Sequence, residues 1–193
     1  MHDIEPHFRW RAHYRAEVDA RSPFFEREYS ELYFSNTVYD HLIHPQWDAF
    51  GSSTLYLKIL YSDYEQGFTV LELIGEWNDC VHNDIMFLKR EIIDLQLREG
   101  IDKFIVIGEN VMNFHANDME DDYYQEWFSE LEEEGWITFI NFQAHVLEEL
   151  RDHQLDYYIN FGGELDQLFW RPMEPRLLCH KVEDIISRRL APM

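Results

Sequence analysis

Residues 67–108 read GFTVLELIGEWNDCVHNDIMFLKREIIDLQLREGIDKFIVIG, and three patterns follow one another in them. "GFTVLELIGEW" (67–77) is a run rich in β-branched and aromatic side chains behind a glycine, as a strand after a turn reads. "NDIMFLKREIIDLQLREG" (83–100) places Ile85, Leu88, Ile92 and Leu95 at helical spacing, with Asn83 as a candidate cap and Gly100 as the stop. "KFIVIG" (103–108) is a short continuous apolar run, the pattern of a strand covered on both faces. Strand, helix and strand with short links form the repeating unit of a parallel sheet.

The same grammar extends both ways. Upstream, "STLYLKILYSDY" (53–64) meets the first run across a short turn at Glu65, Gln66 and Gly67, which predicts an antiparallel hairpin. Downstream come a helix in "DDYYQEWFSELEEEG", a strand in "WITFINF" and a helix in "AHVLEELRDHQ". A further strand, "DYYINFGG", precedes a last helix, "PRLLCHKVEDIISRRL", with proline at its start and arginines in its final turn. The expected fold class is α/β: a mostly parallel sheet with an antiparallel hairpin at its start, flanked by helices. It occupies residues 53–193, behind an N-terminal extension of 1–52 in which "EREYSELYF" is a candidate added strand. His41 and His44 form an HxxH that would fit a helix face, but with no partner pattern they read as loop residues.

Charge divides the chain. The net charge is -22, and residues 31–170 hold 29 of the 38 acidic side chains but 6 of the 16 basic ones. Residues 1–30 carry five arginines among Phe8, Trp10, Tyr14, Phe24, Phe25 and Tyr29. Such an arm is expected to dock on the acidic body, its own or that of a second copy in a homodimer, because guanidinium forks suit carboxylates and aromatics supply buried area. An acidic body repels phosphate backbones and anionic membrane surfaces, so neither nucleic acid nor membrane is an expected partner, whereas cationic partners are favoured. No run reaches the length of a bilayer span, and "MHDIEPHFRWR" has no apolar stretch of the kind a signal peptide carries. Cys80 and Cys179 stand apart without a CxxC, which fits two thiols in a reducing cytoplasm.

Candidate site residues gather where the parallel strands should end, the edge at which open α/β sheets bind ligands. "GEWNDCVHND" offers Glu76, Asp79 and His82; "GENVMNFHAND" offers Glu109, His115 and Asp118. Three apolar runs stop at Asn-Phe, adding Asn113, Asn141 and Asn160. These asparagines read either as amides around one crevice or as caps of the helices that follow. Two histidines among carboxylates are able to hold a divalent ion or act as an acid–base pair, but the spacing matches no HExxH-type signature. GxGxxG, GxxxxGK[ST] and GxSxG are all missing, so no cofactor, metal or catalytic residue is assigned. The run "NDMEDDYYQEWFSELEEE" has nine carboxylates and no basic residue, and reads as a solvated helix face.

"VLELIGEWND" (70–79), the amphipathic helix after it and "KFIVIG" resemble the second strand, first helix and third strand of the STAS domain of anti-sigma-factor antagonists, and the element order over residues 55–190 is similar. The resemblance implies a STAS-like core and a role in protein interaction, some family members also binding small ligands or lipids. Regulated members carry a phosphorylatable serine after the third strand. Residues 108–128 here contain no Ser or Thr, although Asp118, Glu120, Asp121 and Asp122 would mimic a permanent phosphate. The expectation is therefore a non-catalytic cytoplasmic protein-interaction or regulatory module with an unknown partner. The alternative is a small-ligand or metal-binding enzyme using the carboxyl edge of the sheet.

Overall fold

The computed structural model describes residues 4–30, 32–117 and 123–190. Its centre is a four-stranded sheet built from β3 (Leu55–Asp63), β4 (Phe68–Asn78), β5 (Lys103–His115) and β6 (Trp136–Ile140), in that spatial order. β3 and β4 form the antiparallel hairpin, with Lys58 opposite Glu72, and β4–β5 and β5–β6 pair in parallel. The hairpin turn is set locally: Asp63 Oδ1 accepts the N–H groups of Glu65 and Gln66 at 3.1 Å, and Gly67 takes a left-handed φ of 67°. A second, two-stranded ribbon of β1 (Thr37–Val38) and β2 (His41–Leu42) lies outside the main sheet.

Helices cover both faces. On one side pack α2 (Asp84–Leu88) and α3 (Asp94–Arg98), joined by a π-helical turn at Lys89–Ile93, together with α4 (Tyr123–Ser129) and α5 (Ala144–Asp152). Ile85, Leu88, Ile92, Trp127, Val146 and Leu150 bury there against Leu57, Leu71, Phe104, Val106 and Phe139. On the other side α6 (Pro175–Leu190) sets Leu178, Val182 and Ile185 against Val70, Ile105 and Ile107, and Trp10 of the amino-terminal segment joins the same cluster. Trp10 Nε1 donates to the Met173 carbonyl at 2.9 Å, and the His7 N–H donates to Glu72 at 2.7 Å. Arg27 and Tyr29 reach Asp48 at 3.2 and 2.7 Å, so the segment is held by aromatic burial and by buried polar contacts alike.

Several local expectations are corrected. "DYYINFGG" is not a strand: Leu155–Tyr157 is a 3-10 turn, and only Asn160 bridges β6, opposite Thr138. The described part of "EREYSELYF" has no strand; His44 lies in a loop as expected, whereas His41 lies in β2. Asn83 makes no side-chain cap. Its φ of 52° instead separates α2 from the short α1 (Asp79–His82), while Asn78 accepts from Val81 N–H and Asp79 from Ile85 N–H. β5 runs past Gly108 to His115, so Asn113 lies inside a strand rather than after one. Among the described residues of its expected stretch α4 covers Tyr123–Ser129 and stops before Glu130, and Asp118, Glu120, Asp121 and Asp122 lie outside the described residues.

Candidate functional site

The Asn-Phe rhyme has a packing origin. Phe114, Phe142 and Phe161 all bury in the cluster beneath α2–α5. Gly108 makes room for one of them, since a Cβ there would sit 2.4 Å from the Phe142 ring. The three asparagines differ. Asn113 is exposed. Asn141, in the left-handed region at φ 54°, donates to Glu109 (2.9 Å) and to the Leu168 carbonyl (2.8 Å) and accepts from Leu168 N–H (2.9 Å). Asn160 exchanges backbone hydrogen bonds with Ile137 and Phe139, and its amide also donates to the Ile137 carbonyl. The latter two close the outer edge of β6 and the chain that follows it.

The carboxylates at the same end form separate hubs. Asp79 accepts from Trp77 Nε1 (2.9 Å), Ile85 N–H (2.8 Å) and Tyr124 O–H (2.6 Å), tying β4 to α2 and α4. Burial outweighs these donors and pushes its pKa up to about 7. Glu109 accepts from Asn141, from Trp170 Nε1 (2.6 Å) and from Arg171 (2.5 Å). Burial alone would raise its pKa, but these donors hold it below the ordinary carboxylate range. Glu76, buried at the end of β4, lies 2.5 Å from His115 Nε2 and accepts from Tyr39 O–H. His115 stays half exposed, so this pair is open to solvent. The structure thus joins Glu76 to His115 and Glu109 to Asn141, and leaves Asp79, His82, Asn113 and Asn160 apart from both. No group of three or more His, Cys, Asp or Glu able to hold a metal occurs among the described residues.

A different feature occupies the opposite end of the parallel strands, where β5 begins at Lys103 and β6 at Trp136. A groove of about 740 Å³ runs between Phe128, the 133–135 turn, the 156–160 segment and α6. Five carboxylates, Glu133, Glu134, Asp156, Glu183 and Asp184, face one cation, Lys103, which is taken by Glu183 at 2.8 Å. The other four have no cationic partner within 4.0 Å among the described residues. Aromatic surface lies among them: Tyr157 is 75% exposed, and Phe128 packs on Tyr158 with ring centroids 5.9 Å apart. Carboxylates beside exposed aromatic faces suit an ammonium or guanidinium, which gains from both the charge and the ring quadrupole.

Sequence reasoning missed this groove because its acids come from three separate stretches with no shared motif. The available signal was the acidic run "NDMEDDYYQEWFSELEEE", which holds Glu133 and Glu134 and was read as a solvated helix face. No family model matches the chain, and neither does a curated protein or a solved structure. No helix among the described residues is long and apolar enough to cross a membrane.

Proposed function

We propose that this chain is a non-catalytic cytoplasmic protein-interaction module that receives a basic segment of a partner protein in the acidic, aromatic groove at the amino-terminal end of its parallel strands. The observation that carries the reading is the set of four carboxylates that have no cationic partner among the described residues, spaced around Tyr157 and Phe128. Complementary potential of this kind speeds encounter and selects cationic partners. The contrast with the carboxyl edge supports it further, since Asp79, Glu109 and Asn141 are held there by internal hydrogen bonds, whereas Asn160 lines the groove itself. The STAS-like order of hairpin, helix and alternating strands fits the same role.

A polycation would bind any chain of net charge -22 to some degree, so the test removes equal charge from two places. Binding of a fluorescent peptide that alternates lysine, arginine and glycine is followed by anisotropy in physiological salt. Glu133→Gln, Glu134→Gln and Asp156→Asn together are expected to weaken binding at least tenfold. The matched variant Glu65→Gln, Glu91→Gln and Glu148→Gln, on exposed positions elsewhere, is expected to change it less than twofold. Equal weakening by the two triple variants would sink the assignment.

A further inference from the structure

A cavity of about 330 Å³ lies between the amino-terminal segment and β3, and its walls are unlike the rest of this acidic chain. Arg11, Arg15, Arg27 and Lys58 line it, and Glu17 is the carboxylate in its described lining. Glu17 is taken by Arg15 at 3.0 Å. Asp48, buried behind the wall, is shared by Arg27 (3.2 Å), Lys58 (3.1 Å) and the Tyr29 hydroxyl (2.7 Å). Four cations therefore meet two carboxylates. The Arg11 guanidinium is held by the neutral Gln46 amide at 3.0 Å; burial, with a smaller push from the Arg11 charge, lowers the Lys58 pKa against the pull of Asp48 and Glu17. Lys58 is buried with Asp48 as its counter-charge, whereas Arg11 is exposed and has no carboxylate within 4.0 Å among the described residues, so its fork is open to an anion.

Polar atoms in the same lining also lack partners. His7 is 8% exposed, and its Nε2 makes no hydrogen bond; the Tyr14 hydroxyl is buried and likewise without one. The His7 ring is fixed edge-on against Trp10 (5.2 Å) and Trp170 (4.9 Å). Burial, with the charges of Arg171 and Arg9, lowers its pKa to about 4, so the imidazole is neutral and its Nε2–H tautomer is a donor. Glu72 is the cross-strand neighbour of Lys58 and lies outside the cavity lining. Burial raises its pKa to about 7, and one of its oxygens already accepts the His7 N–H.

We propose that this cavity binds a small phosphomonoester dianion, with the Arg11 fork and the Lys58 ammonium on its phosphoryl oxygens and the Tyr14 and Tyr29 rings beside its organic part. A guanidinium fork and an ammonium converging on one space form a phosphate-binding pair. The volume suits a phosphate that carries a few carbons. Lys58 interrupts the apolar run "TLYLKIL" of β3, which is the trace the site leaves in the sequence.

The test uses the full chain at constant ionic strength, with ribose 5-phosphate and inorganic phosphate as probes in calorimetry and thermal melts. Ribose 5-phosphate is expected to bind saturably and raise Tm with concentration, and inorganic phosphate to do so more weakly. Arg11→Gln should weaken ribose 5-phosphate binding by about tenfold or more, as expected for a lost charged hydrogen bond. Arg9→Gln, on the same segment but outside the cavity, should leave binding unchanged. Lys58→Met also removes one of the three donors to the buried Asp48, so Arg11→Gln is the deciding variant. Absence of binding by both probes, or equal weakening by the two arginine variants, overturns the proposal. Inorganic phosphate binding as tightly as the sugar phosphate overturns the phosphomonoester assignment.

Discussion

Trp10→Ala tests whether the amino-terminal segment is part of the folded unit. Trp10 is 3% exposed, donates its indole N–H to the Met173 carbonyl at 2.9 Å, and makes edge-to-face contacts with His7 and Trp170. A buried tryptophan removes roughly 150–250 Å² from water. At about 25 cal/mol per Å² that is roughly 4–6 kcal/mol as an upper figure, and large-to-small core substitutions of this type cost about 3–5 kcal/mol. The segment begins near the terminus, however, and can leave without unfolding the sheet. The loss is therefore capped at the free energy that docks residues 4–30, and any excess appears as undocking in the native state. Urea titration read by far-ultraviolet circular dichroism should show a drop of about 2–4 kcal/mol. If undocking sets in first, the m-value falls and the bonds after Arg9 and Arg11 become cleavable by trypsin in the folded protein. A variant that keeps its midpoint, m-value and protease resistance would show that Trp10 contributes nothing to the fold, and the packing described above would be wrong.

Three further outcomes follow from named contacts. Asp79 has its pKa raised by burial from 3.8 to about 7, so its contribution to stability is fully present below about pH 4 and is lost as pH rises through about 7. Asp79→Asn should therefore flatten the fall in unfolding free energy between pH 5 and pH 8, by an amount on the order of 1–3 kcal/mol in urea titrations; parallel profiles for the two proteins would refute this. Asn141→Ala removes three hydrogen bonds that close the chain after β6 and leaves Glu109 with one donor fewer, so denaturant titration should show a loss of about 2–3 kcal/mol, against less than about 0.5 for the exposed Asn113→Ala. Gly108→Ala would drive a methyl into the Phe142 ring, so it should cost about 1–3 kcal/mol, and the companion Phe142→Leu should recover part of that loss in a double-mutant cycle.

Where period and burial coincide, the sequence was readable. The β3–β4 hairpin, the helix after it and the start of β5 follow from Gly67, from Ile85, Leu88 and Ile92, and from the unbroken run of Phe104 to Ile107. The end of β5 was not readable, because β6 pairs only as far as Ile107 and the strand continues with β4 alone beside it. Half-covered, it tolerates Glu109, Asn110 and Asn113, which read as a loop. "DYYINF" failed the other way: its apolar letters serve a 3-10 turn and a buried Phe161, and a single residue meets the sheet. The candidate residues at the carboxyl edge were legible as polar groups at strand ends. Their use as internal ties was not, since Glu109 is satisfied by Trp170 and Arg171, about sixty positions away.

The single bridge at Asn160 has a consequence for how this protein behaves in company. β6 is "WITFI", five buried residues of high β-propensity with no charge and no proline, the composition that stacks into intermolecular ribbons when its edge is bare. The chain covers that edge with one asparagine, which answers Ile137 and Phe139 through its backbone and Ile137 again through its amide. At the other rim, Asp48 exchanges two backbone bonds with Leu57 of β3. A molecule so acidic is kept apart from its copies by repulsion at long range, but at contact distance the guard is these few hydrogen bonds. Gentle warming that frees Asn160 before the core melts would expose a ready template, and light scattering in salt high enough to screen the charge is where that opening would first be seen.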